Sequence, residues 1–286
     1  MLEIINISKQ YKKTLVLDQC SLCAKPYQII GVLGLNGCGK TTLFKIIMGL
    51  ISASNGEVLL DKQTLDTHLV GYMPEQRSLY LDLSVFNYAM FIGHLKGLSD
   101  DFIYSQLSDL LNLFKIEHYK HTKIRILSKG NQQRIQFICA CLHNPSILIL
   151  DEPFNGLDYH SQLDFMKMLK LWAKQGKTIL ISSHQLNLMD DLCDEVLILK
   201  EGKTILSGSI AMIRNTHQQY RVSVNSDSRW KEMEIPYVSI NALIERVQFE
   251  FNTLKNAKRA IQYFNKDTSV YRLELSMVPL SELVKL

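Results

Sequence analysis

The sequence has no apolar run long enough to form a membrane-spanning helix. Such a helix needs about 20 consecutive apolar residues, and the two most apolar stretches, Phe137–Leu142 and Ile147–Leu150, are separated by His143, Asn144 and Pro145. The N-terminus also lacks the basic start and the long apolar stretch of a signal peptide. These absences predict a cytoplasmic protein that contacts a membrane only through a partner.

A strong net charge and a clear cysteine pattern are missing as well. The net charge is +4 and no basic stripe with interleaved aromatic residues is present, which argues against nucleic acid as a partner. Of the six cysteines, only the pair in Cys20-Ser-Leu-Cys23 has a metal-ligand spacing. Because no second pair or histidine lies nearby, we interpret this pair as buried structural residues.

The sequence does contain an alternation of apolar strands and helices. Its 286 residues are 47% hydrophobic, enough for one large domain or two unequal ones. Strand-like runs at Ile29–Leu33, Ile147–Leu150 and Thr178–Ser182 are separated by helical patterns, which predicts an α/β fold with a mostly parallel sheet covered on both faces. Helical spacing from residue 84 to residue 127, followed by a helix that ends near residue 142, predicts a helical subdomain over residues 84–142.

The pattern changes near residue 210. Strands are expected at Arg221–Val224, Val247–Phe251 and Tyr271–Leu275, with a helix near Leu254–Phe264 and a short terminal helix. We therefore expect a first domain over residues 1–208 and a small α+β domain over residues 209–286.

A glycine-rich turn lies between the strand Ile29–Leu33 and a helical pattern. Its sequence is Gly34-Leu35-Asn36-Gly37-Cys38-Gly39-Lys40-Thr41-Thr42. This fits the G-x-x-x-x-G-K-[ST] pattern of a phosphate-binding loop, in which glycines let backbone N–H groups point at phosphate oxygens. Lys40 would supply charge to the β and γ phosphates, and Thr41 a hydroxyl for Mg²⁺.

Two carboxylates follow the apolar strand Ile147–Leu150. Ligands of parallel sheets bind at the carboxyl ends of the strands, so Asp151 and Glu152 are expected to face the phosphates. Mg²⁺ prefers oxygen ligands and keeps several waters, which suits Asp151 as its ligand through a water. Glu152 is then placed to polarise the attacking water.

These two motifs occur together with the helical insertion and with a third element, Leu127-Ser128-Lys129-Gly130-Asn131-Gln132-Gln133. Together they resemble the nucleotide-binding subunits of ATP-binding-cassette transporters, in an exporter-like subgroup. The third element resembles the family's signature sequence, which faces the γ-phosphate across a dimer interface, so the resemblance implies Ser128 and Gly130 as donors. Its usual form is Leu-Ser-Gly-Gly-Gln. Lys129 and Asn131 therefore depart from it, and Lys129 either adds charge near the second nucleotide or is solvated.

Further family positions follow one at a time. Tyr11 matches the aromatic residue that stacks on adenine, with Val16 packed beside it. His184, after the second buried strand, matches the histidine that contacts the γ-phosphate. The segment Pro153–Asp158 resembles the loop that crosses the dimer interface, with Asp158 as its acid.

Two positions leave questions open. The family has glutamine after Tyr-x-Pro, whereas here Tyr72-Met73-Pro74 is followed by Glu75 and then Gln76. Either Glu75 takes the Mg²⁺-binding role, which a carboxylate can fill, or the loop shifts by one residue and Gln76 does. Cys38 is expected to place its thiol beside the nucleotide, so that alkylation inhibits hydrolysis and bound ATP protects.

The resemblance implies an ATPase that uses ATP and Mg²⁺ and energises transport, with export preferred, through a separate membrane permease. The chain itself would be held on the inner face of the cell membrane through this permease. Two copies, or one copy and a paralogue, would enclose two ATP molecules. A soluble cassette acting on ribosomes or DNA is a rival, although it would usually carry two cassettes or a long coiled-coil insertion. A phosphoryl-transfer kinase is a second rival, disfavoured by the signature element and His184.

Overall fold

The sheet of the N-terminal part of the chain has ten strands. In this computed structural model, which describes residues 1–184, 186–216, 219–226, 235–242, 246–267 and 269–278, contacts separate two compact units, Met1–Ser209 and Ile210–Leu286. The strands of the first unit are β1 Leu2–Tyr11, β2 Thr14–Ala24, β3 Ile29–Leu33, β4 Asn55–Leu60, β5 Gln63–Thr64, β6 Val70–Met73, β7 Ile147–Leu150, β8 Thr178–Ser183, β9 Glu195–Lys200 and β10 Lys203–Ser209.

The strand order is β5-β4-β1-β2-β10-β9-β3-β8-β7-β6. Parallel pairs join β6 to β7, β7 to β8, β8 to β3 and β3 to β9, and β2 also pairs in parallel with β10. Antiparallel pairs join β1 to β2, β1 to β4, β4 to β5 and β9 to β10. The prediction of a mostly parallel sheet is therefore right for one half of the sheet and wrong for the other. Short hairpins explain the difference. Asp61 and Lys62, at the β4–β5 turn, both have positive φ, as a tight two-residue hairpin requires.

The parallel half is the buried part of the sheet. Every residue of β3, β7 and β8 is buried, which is the expected consequence of helices on both faces. The core on one face includes Leu43 and Phe44 of the first helix, which are fully buried together with Ile30 and Val32 of β3. Strand β2 places Cys20 in this core and leaves Cys23 exposed, so the two cysteines are not the buried pair that we expected.

Six helices accompany the sheet of the first unit in the described residues. They are α1 Lys40–Ile47, α2 Val85–Leu95, α3 Asp100–Leu113, α4 Lys129–Cys141, α5 Tyr159–Lys174 and α6 Leu186–Leu192. Helices α2 to α4, with two short 3₁₀ turns between α3 and α4, form the predicted helical insertion. The side chains of Ser84 and Ser99 accept hydrogen bonds at the N-termini of α2 and α3, which divides the helical pattern into separate helices.

The described residues of the second unit form a four-stranded antiparallel sheet with helices. Its elements are α7 Ile210–Thr216, β11 Tyr220–Ser226, β12 Ser239–Ala242, β13 Arg246–Phe251, α8 Leu254–Phe264 and β14 Val270–Met277, in the sheet order β12-β13-β11-β14. Helix α8 buries Ala257, Ala260 and Phe264 in one cluster with strand residues such as Val222 and Phe249. The predicted terminal helix lies outside the described residues. In the part of the chain that is described, no helix is long and apolar enough to cross a membrane.

Candidate functional site

The carboxyl ends of four neighbouring parallel strands meet at one edge of the sheet. In the register of these strands, Leu33 of β3 lies opposite Ser183 of β8, and Leu150 of β7 lies opposite Met73 of β6. The segments that follow these strands are the glycine-rich loop, the Asp151-Glu152 pair, His184 and the loop that contains Glu75. Four segments that are distant in sequence are thus brought together, as the sequence predicts.

The loop after β3 adopts a conformation that suits glycine. Gly34, Gly37 and Gly39 have φ values of 151°, 83° and 109°, a region that residues with a Cβ rarely occupy. At Gly39 a Cβ would lie 2.6 Å from Leu17 Cδ2 and 2.9 Å from the Val16 carbonyl. Helix α1 begins after Gly39 without a side-chain cap. The first N–H groups of α1 are therefore available to an anion.

The side chain of Lys40 lies inside this loop. Its Nζ donates to the carbonyl oxygen of Gly34 at 2.8 Å and to that of Leu35 at 3.3 Å. It also lies 3.7 Å from Glu152 Oε1, and both side chains are buried. The ammonium group is therefore held at the mouth of the loop by groups that a phosphate can replace.

A hydroxyl group on each side holds Asp151. Thr41 Oγ1 donates to Asp151 Oδ2 at 2.7 Å, and Ser182 Oγ donates to Asp151 Oδ1 at 2.5 Å. Asp151 is fully buried. Ser182 Oγ also accepts from the backbone N–H of Glu152 at 2.9 Å. This role of Ser182 was not predicted, although a serine at the carboxyl end of a buried strand, next to the predicted site, was a signal that could have indicated it.

Glu152 is buried, with one oxygen engaged and one without a hydrogen bond. Its Oε2 lies 2.8 Å from His184 Nδ1, whereas Oε1 is buried without a hydrogen-bond partner. The backbone of Glu152 has φ 50°, a left-handed conformation that is unusual for a residue with a side chain. A desolvated carboxylate oxygen that has an ion-pair partner at 3.7 Å, Lys40, but no hydrogen bond can accept one from a reacting water.

Lys40, Thr41 and Glu152 line one cavity of about 310 Å³, whereas Asp151 and His184 are not among its lining residues. It is lined by Val16, Asn36, Gly37, Gly39, Lys40, Thr41, Thr42, Glu75 and Glu152. Glu75 is one of the lining residues and Gln76 is not. Tyr11 is also outside the lining. Its ring is 47% exposed at the end of the β1–β2 hairpin and has Lys9 Nζ 5.0 Å from its centroid.

The residues of the cavity suit a nucleoside triphosphate with Mg²⁺. The loop offers backbone N–H groups and the Lys40 ammonium to phosphate oxygens. The oxygen atoms of Thr41, Asp151 and Glu75 are of the kind that Mg²⁺ prefers. In the described residues, no group of three His, Cys, Asp or Glu side chains could hold a metal ion by itself. A magnesium site here would therefore need phosphate oxygens or waters to complete it.

The signature-like element lies at the start of α4 and is not part of this cavity. Ser128 is the N-cap of α4, and its Oγ accepts from the N–H of Asn131 at 3.3 Å. A Cβ on Gly130 would lie 3.3 Å from the carbonyl oxygen of Gly156. Ser128 and Lys129 are exposed. Neither Ser128 nor Gly130 lines the cavity formed by their own chain.

Asp158 caps the next helix. Its carboxylate accepts from the backbone N–H and from the hydroxyl of Ser161 at the start of α5, at 2.9 and 2.6 Å. These hydrogen bonds from Ser161 lower the pKa of the Asp158 carboxyl. Within this chain the acid of the Pro153–Asp158 loop therefore holds the beginning of α5.

The side chain of Cys38 differs from expectation. Its thiol is only 6% exposed and belongs to the core cluster that contains Leu43 and Phe44. A Cβ on Gly34 would lie 2.5 Å from Cys38 Sγ, which shows how closely the loop closes over the thiol. Burial raises the pKa of this thiol. The expectation of a reactive thiol beside the nucleotide is therefore wrong, because the side chain points into the core.

Comparison with known proteins gives a family match, two similar relatives and one similar solved structure. Residues 17–155 match the family model described as ABC transporter. The chain is 39% identical over 236 residues to MJ1023 of Methanocaldococcus jannaschii, an uncharacterized ABC transporter ATP-binding protein, covering 82% of this chain and 87% of that protein. It is 30% identical over 226 residues to the lipopolysaccharide export system ATP-binding protein LptB of Haemophilus influenzae, covering 76% and 94%. A dimeric post-hydrolysis structure of the ATP-binding cassette MJ0796 with ADP and phosphate is similar at 25% identity and a TM-score of 0.67, covering 73% and 99%.

Proposed function

The chain belongs to the family of ABC transporter ATP-binding proteins, and we propose that it drives export through a separate membrane permease. As a member of this family it is an ATPase, which hydrolyses ATP to ADP and phosphate. The observation that carries the site assignment is the convergence of Lys40, Thr41, Asp151, Glu152 and His184 at one edge of the sheet.

In the proposed mechanism the chain positions the phosphates and the attacking water. Phosphate oxygens replace the carbonyl groups that Lys40 Nζ now contacts, and the N–H groups at the start of α1 bind them further. Glu152 Oε1 accepts a hydrogen bond from the water, while His184 holds Oε2 at 2.8 Å. Hydrolysis then depends mainly on positioning and on stabilisation of charge.

We assign the magnesium site to Thr41, Asp151 and Glu75. The contact between Thr41 and Asp151 and the presence of Glu75 in the cavity lining support this choice. Mg²⁺, when bound, neutralises charge on the phosphate oxygens. We favour Glu75 over Gln76 because Glu75 lines the cavity and Gln76 does not. The backbone carbonyl of Gln76 instead accepts a hydrogen bond from Gln136 of α4.

We propose that a second cassette completes the site. Ser128, which is exposed, and Gly130, which is partly buried, lie at the start of α4 outside the cavity of their own chain. In this proposal they contact the nucleotide of the partner copy. The similar cassette MJ0796 was solved as a dimer. We assign Tyr11 to adenine, with Val16 beside it, because Tyr11 is exposed at the end of the β1–β2 hairpin whose second strand contributes Val16 to the cavity. The second cassette is either another copy or a paralogue.

Export is supported by the similarity to LptB, a subunit named for a lipopolysaccharide export system. The membrane-spanning path would belong to the permease, and this chain would be attached to the inner face of the membrane through it. Opening and closing of the cassette dimer with ATP would move the permease. The cargo is recognised by the permease in this proposal.

The experiment compares the purified chain with Glu152→Gln, alone and with its co-expressed permease. We expect the variant to lose hydrolysis by about 10²- to 10⁴-fold, the range that a general base contributes. We also expect it to accumulate as an ATP-bound dimer during size-exclusion chromatography with ATP and Mg²⁺. A Glu152→Gln protein that hydrolyses ATP at the wild-type rate would refute the role of Glu152. The transport proposal would be refuted if ATP did not accelerate the movement of any tested cargo across vesicles that contain the permease complex.

A further inference from the structure

We propose that Gln136 is a positioning residue that holds the Glu75 loop, defined as residues 74–76. This inference rests on the proposed role of Glu75. The side chain of Gln136 is 6% exposed on α4. Its Nε2 donates to the carbonyl oxygen of Pro74 at 2.7 Å and to that of Gln76 at 3.4 Å. These two carbonyl groups flank Glu75, so one side-chain amide holds the backbone on both sides of it.

The orientation of this amide is fixed by its neighbours. Two carbonyl oxygens can be satisfied only by the NH₂ end of a glutamine, because its oxygen has no proton to donate. The other end, Oε1, is buried without a hydrogen-bond partner. Rotating the amide would place this oxygen against two carbonyl oxygens. The Pro74 carbonyl would lose the Gln136 donor, and the Gln76 carbonyl would keep only the Ser78 hydroxyl at 3.4 Å. The loop therefore depends on the Gln136 amide in one orientation.

The same network continues into a cavity of about 190 Å³ behind the loop. Tyr72, Gln136 and His143 line it, and each has one buried polar atom without a partner, namely Tyr72 Oη, Gln136 Oε1 and His143 Nδ1. Nε2 of His143 lies 3.1 Å from the carbonyl oxygen of Val70, which makes Nδ1 an acceptor in the neutral ring. A cavity of this size, whose lining residues include three buried polar atoms without a partner, admits water molecules. Such waters would supply donors to Gln136 Oε1 and connect it to β6.

Helix α4 links this contact to the signature-like element. The helix has Ser128 at its N-cap, and Gln136 lies eight residues further along, at a distance of about 12 Å from the rise per residue of an α-helix. A displacement of α4 would therefore be transmitted to Glu75 through one hydrogen-bonded side chain. In the proposed dimer, α4 therefore carries both Ser128, which contacts the partner's nucleotide, and Gln136, which positions the magnesium ligand Glu75.

The test uses Gln136→Met, which keeps an unbranched side chain of similar length but removes the N–H donors. Cys139→Ala is the matched control. Cys139 lies on the same helix and lines the same cavity, but its side chain makes no hydrogen bond to residues 74–76 in the described part of the chain. Both variants should retain the fold, because methionine and alanine are good helix formers. Far-UV circular dichroism and thermal unfolding check this.

The first measurement is amide hydrogen exchange in the full-length protein without nucleotide. Loss of a net hydrogen bond corresponds to about a 5- to 10-fold change in a local equilibrium. We expect Gln136→Met to accelerate exchange in peptides covering residues 73–79 by about this factor. Cys139→Ala should leave the same peptides at the wild-type rate. Unchanged exchange in Gln136→Met, or equal acceleration in both variants, would overturn the proposal.

The second measurement is the Mg²⁺ concentration that half-saturates ATP binding, with all proteins carrying Glu152→Gln to prevent hydrolysis. We expect Gln136→Met to raise this concentration about fivefold when Glu75 is present. The same substitution should have no further effect after Glu75→Ala, because residues that act through one another are not additive. Independent effects that multiply would overturn the positioning role. If the protein with Glu75 bound ATP without any dependence on Mg²⁺, the proposed magnesium role of Glu75 would fail, and hydrogen exchange would still decide the role of Gln136.

Discussion

Replacing Ser182 with alanine should damage both stability and hydrolysis, although its side chain does not line the nucleotide cavity. Ser182 is fully buried on β8. Its hydroxyl donates to the Asp151 carboxylate at 2.5 Å and accepts from the backbone N–H of Glu152 at 2.9 Å. Alanine would leave that N–H buried without an acceptor and would remove one of the donors that orient Asp151.

The magnitude follows from these two contacts. A hydrogen bond to a charged group contributes about 1.5–3 kcal/mol, and a buried donor left unsatisfied costs about 1–3 kcal/mol. We take about 3 kcal/mol as the expected loss in the free energy of unfolding, since the two contributions overlap. For a unit of this size, such a loss lowers Tm by about 6–12 °C. Hydrolysis should fall by about 10-fold or more, as is usual when a group that orients a metal ligand is removed.

The control is Thr178→Val on the same strand. Thr178 is also buried, but its hydroxyl donates to the neutral carbonyl oxygen of Lys25 at 3.3 Å, far along the strand from Asp151. Its replacement should cost about 1 kcal/mol and lower Tm by about 2–4 °C, with hydrolysis unchanged. Differential scanning calorimetry and steady-state phosphate release measure the two effects. Equal shifts in Tm for both variants, or full activity of Ser182→Ala, would refute the reasoning.

Two further predictions concern titration. Burial raises the pKa of the Cys38 thiol. Iodoacetamide at pH 8 should therefore alkylate the exposed Cys23 much faster than Cys38, and the alkylation rate of Cys38 should increase with pH. Equal alkylation rates of Cys23 and Cys38 at pH 8, measured by peptide mass spectrometry, would contradict this. Burial and the nearby Lys96 lower the pKa of His143 to about 4, from an ordinary value of 6.5. As pH falls, His143 therefore becomes protonated in the unfolded chain before it does in the folded chain. The free energy of unfolding should decrease as pH falls from 6.5 to 4. His143→Gln should reduce that decrease in urea titrations at pH 7 and pH 5, and an identical pH dependence would contradict the assignment.

The sequence was sufficient for the fold class and for the parallel strands that carry the site. The predicted ABC-type P-loop cassette is confirmed by the family match and by the solved cassettes that it resembles. Strands such as Ile147–Leu150 and Ile29–Leu33 were found at their observed bounds, because continuous apolar runs are typical of buried parallel strands. The order of glycine loop and paired carboxylates then indicated where the strand ends would meet.

Several elements were missed because their sequences carry weak signals. Strand β10 begins Lys203-Thr204-Ile205 and ends in Ser-Gly-Ser, without a continuous apolar run. Strand β5 has only two residues, Gln63 and Thr64, and both are exposed. Such strands are formed through their hairpin partners β9 and β4. Their existence depends on pairing rather than on the pattern of their own residues.

Side-chain contacts between distant segments were also beyond sequence reasoning. Thr41 and Asp151 were each assigned to Mg²⁺, but a hydrogen bond between them across 110 positions could not be deduced. The direction of Cys38 depends on the turn of the glycine loop. The amide of Gln136 has a role only because β6 ends beside α4. The local sequence pattern indicates whether a segment is a helix or a strand. The contacts of Thr41, Cys38 and Gln136 depend instead on how helices and strands pack against one another.

The left-handed backbone at Glu152 makes this residue unfavourable for stability, although its carboxylate is proposed to be required for hydrolysis. A residue with a Cβ at φ 50° destabilises the fold by about 1–2 kcal/mol relative to a right-handed conformation. Glycine would remove this strain, and asparagine would reduce it, but neither has the carboxylate. Selection for thermostability alone, without a requirement for hydrolysis, should therefore favour replacement of this residue. The acid proposed to activate water is retained at the expense of a more stable chain.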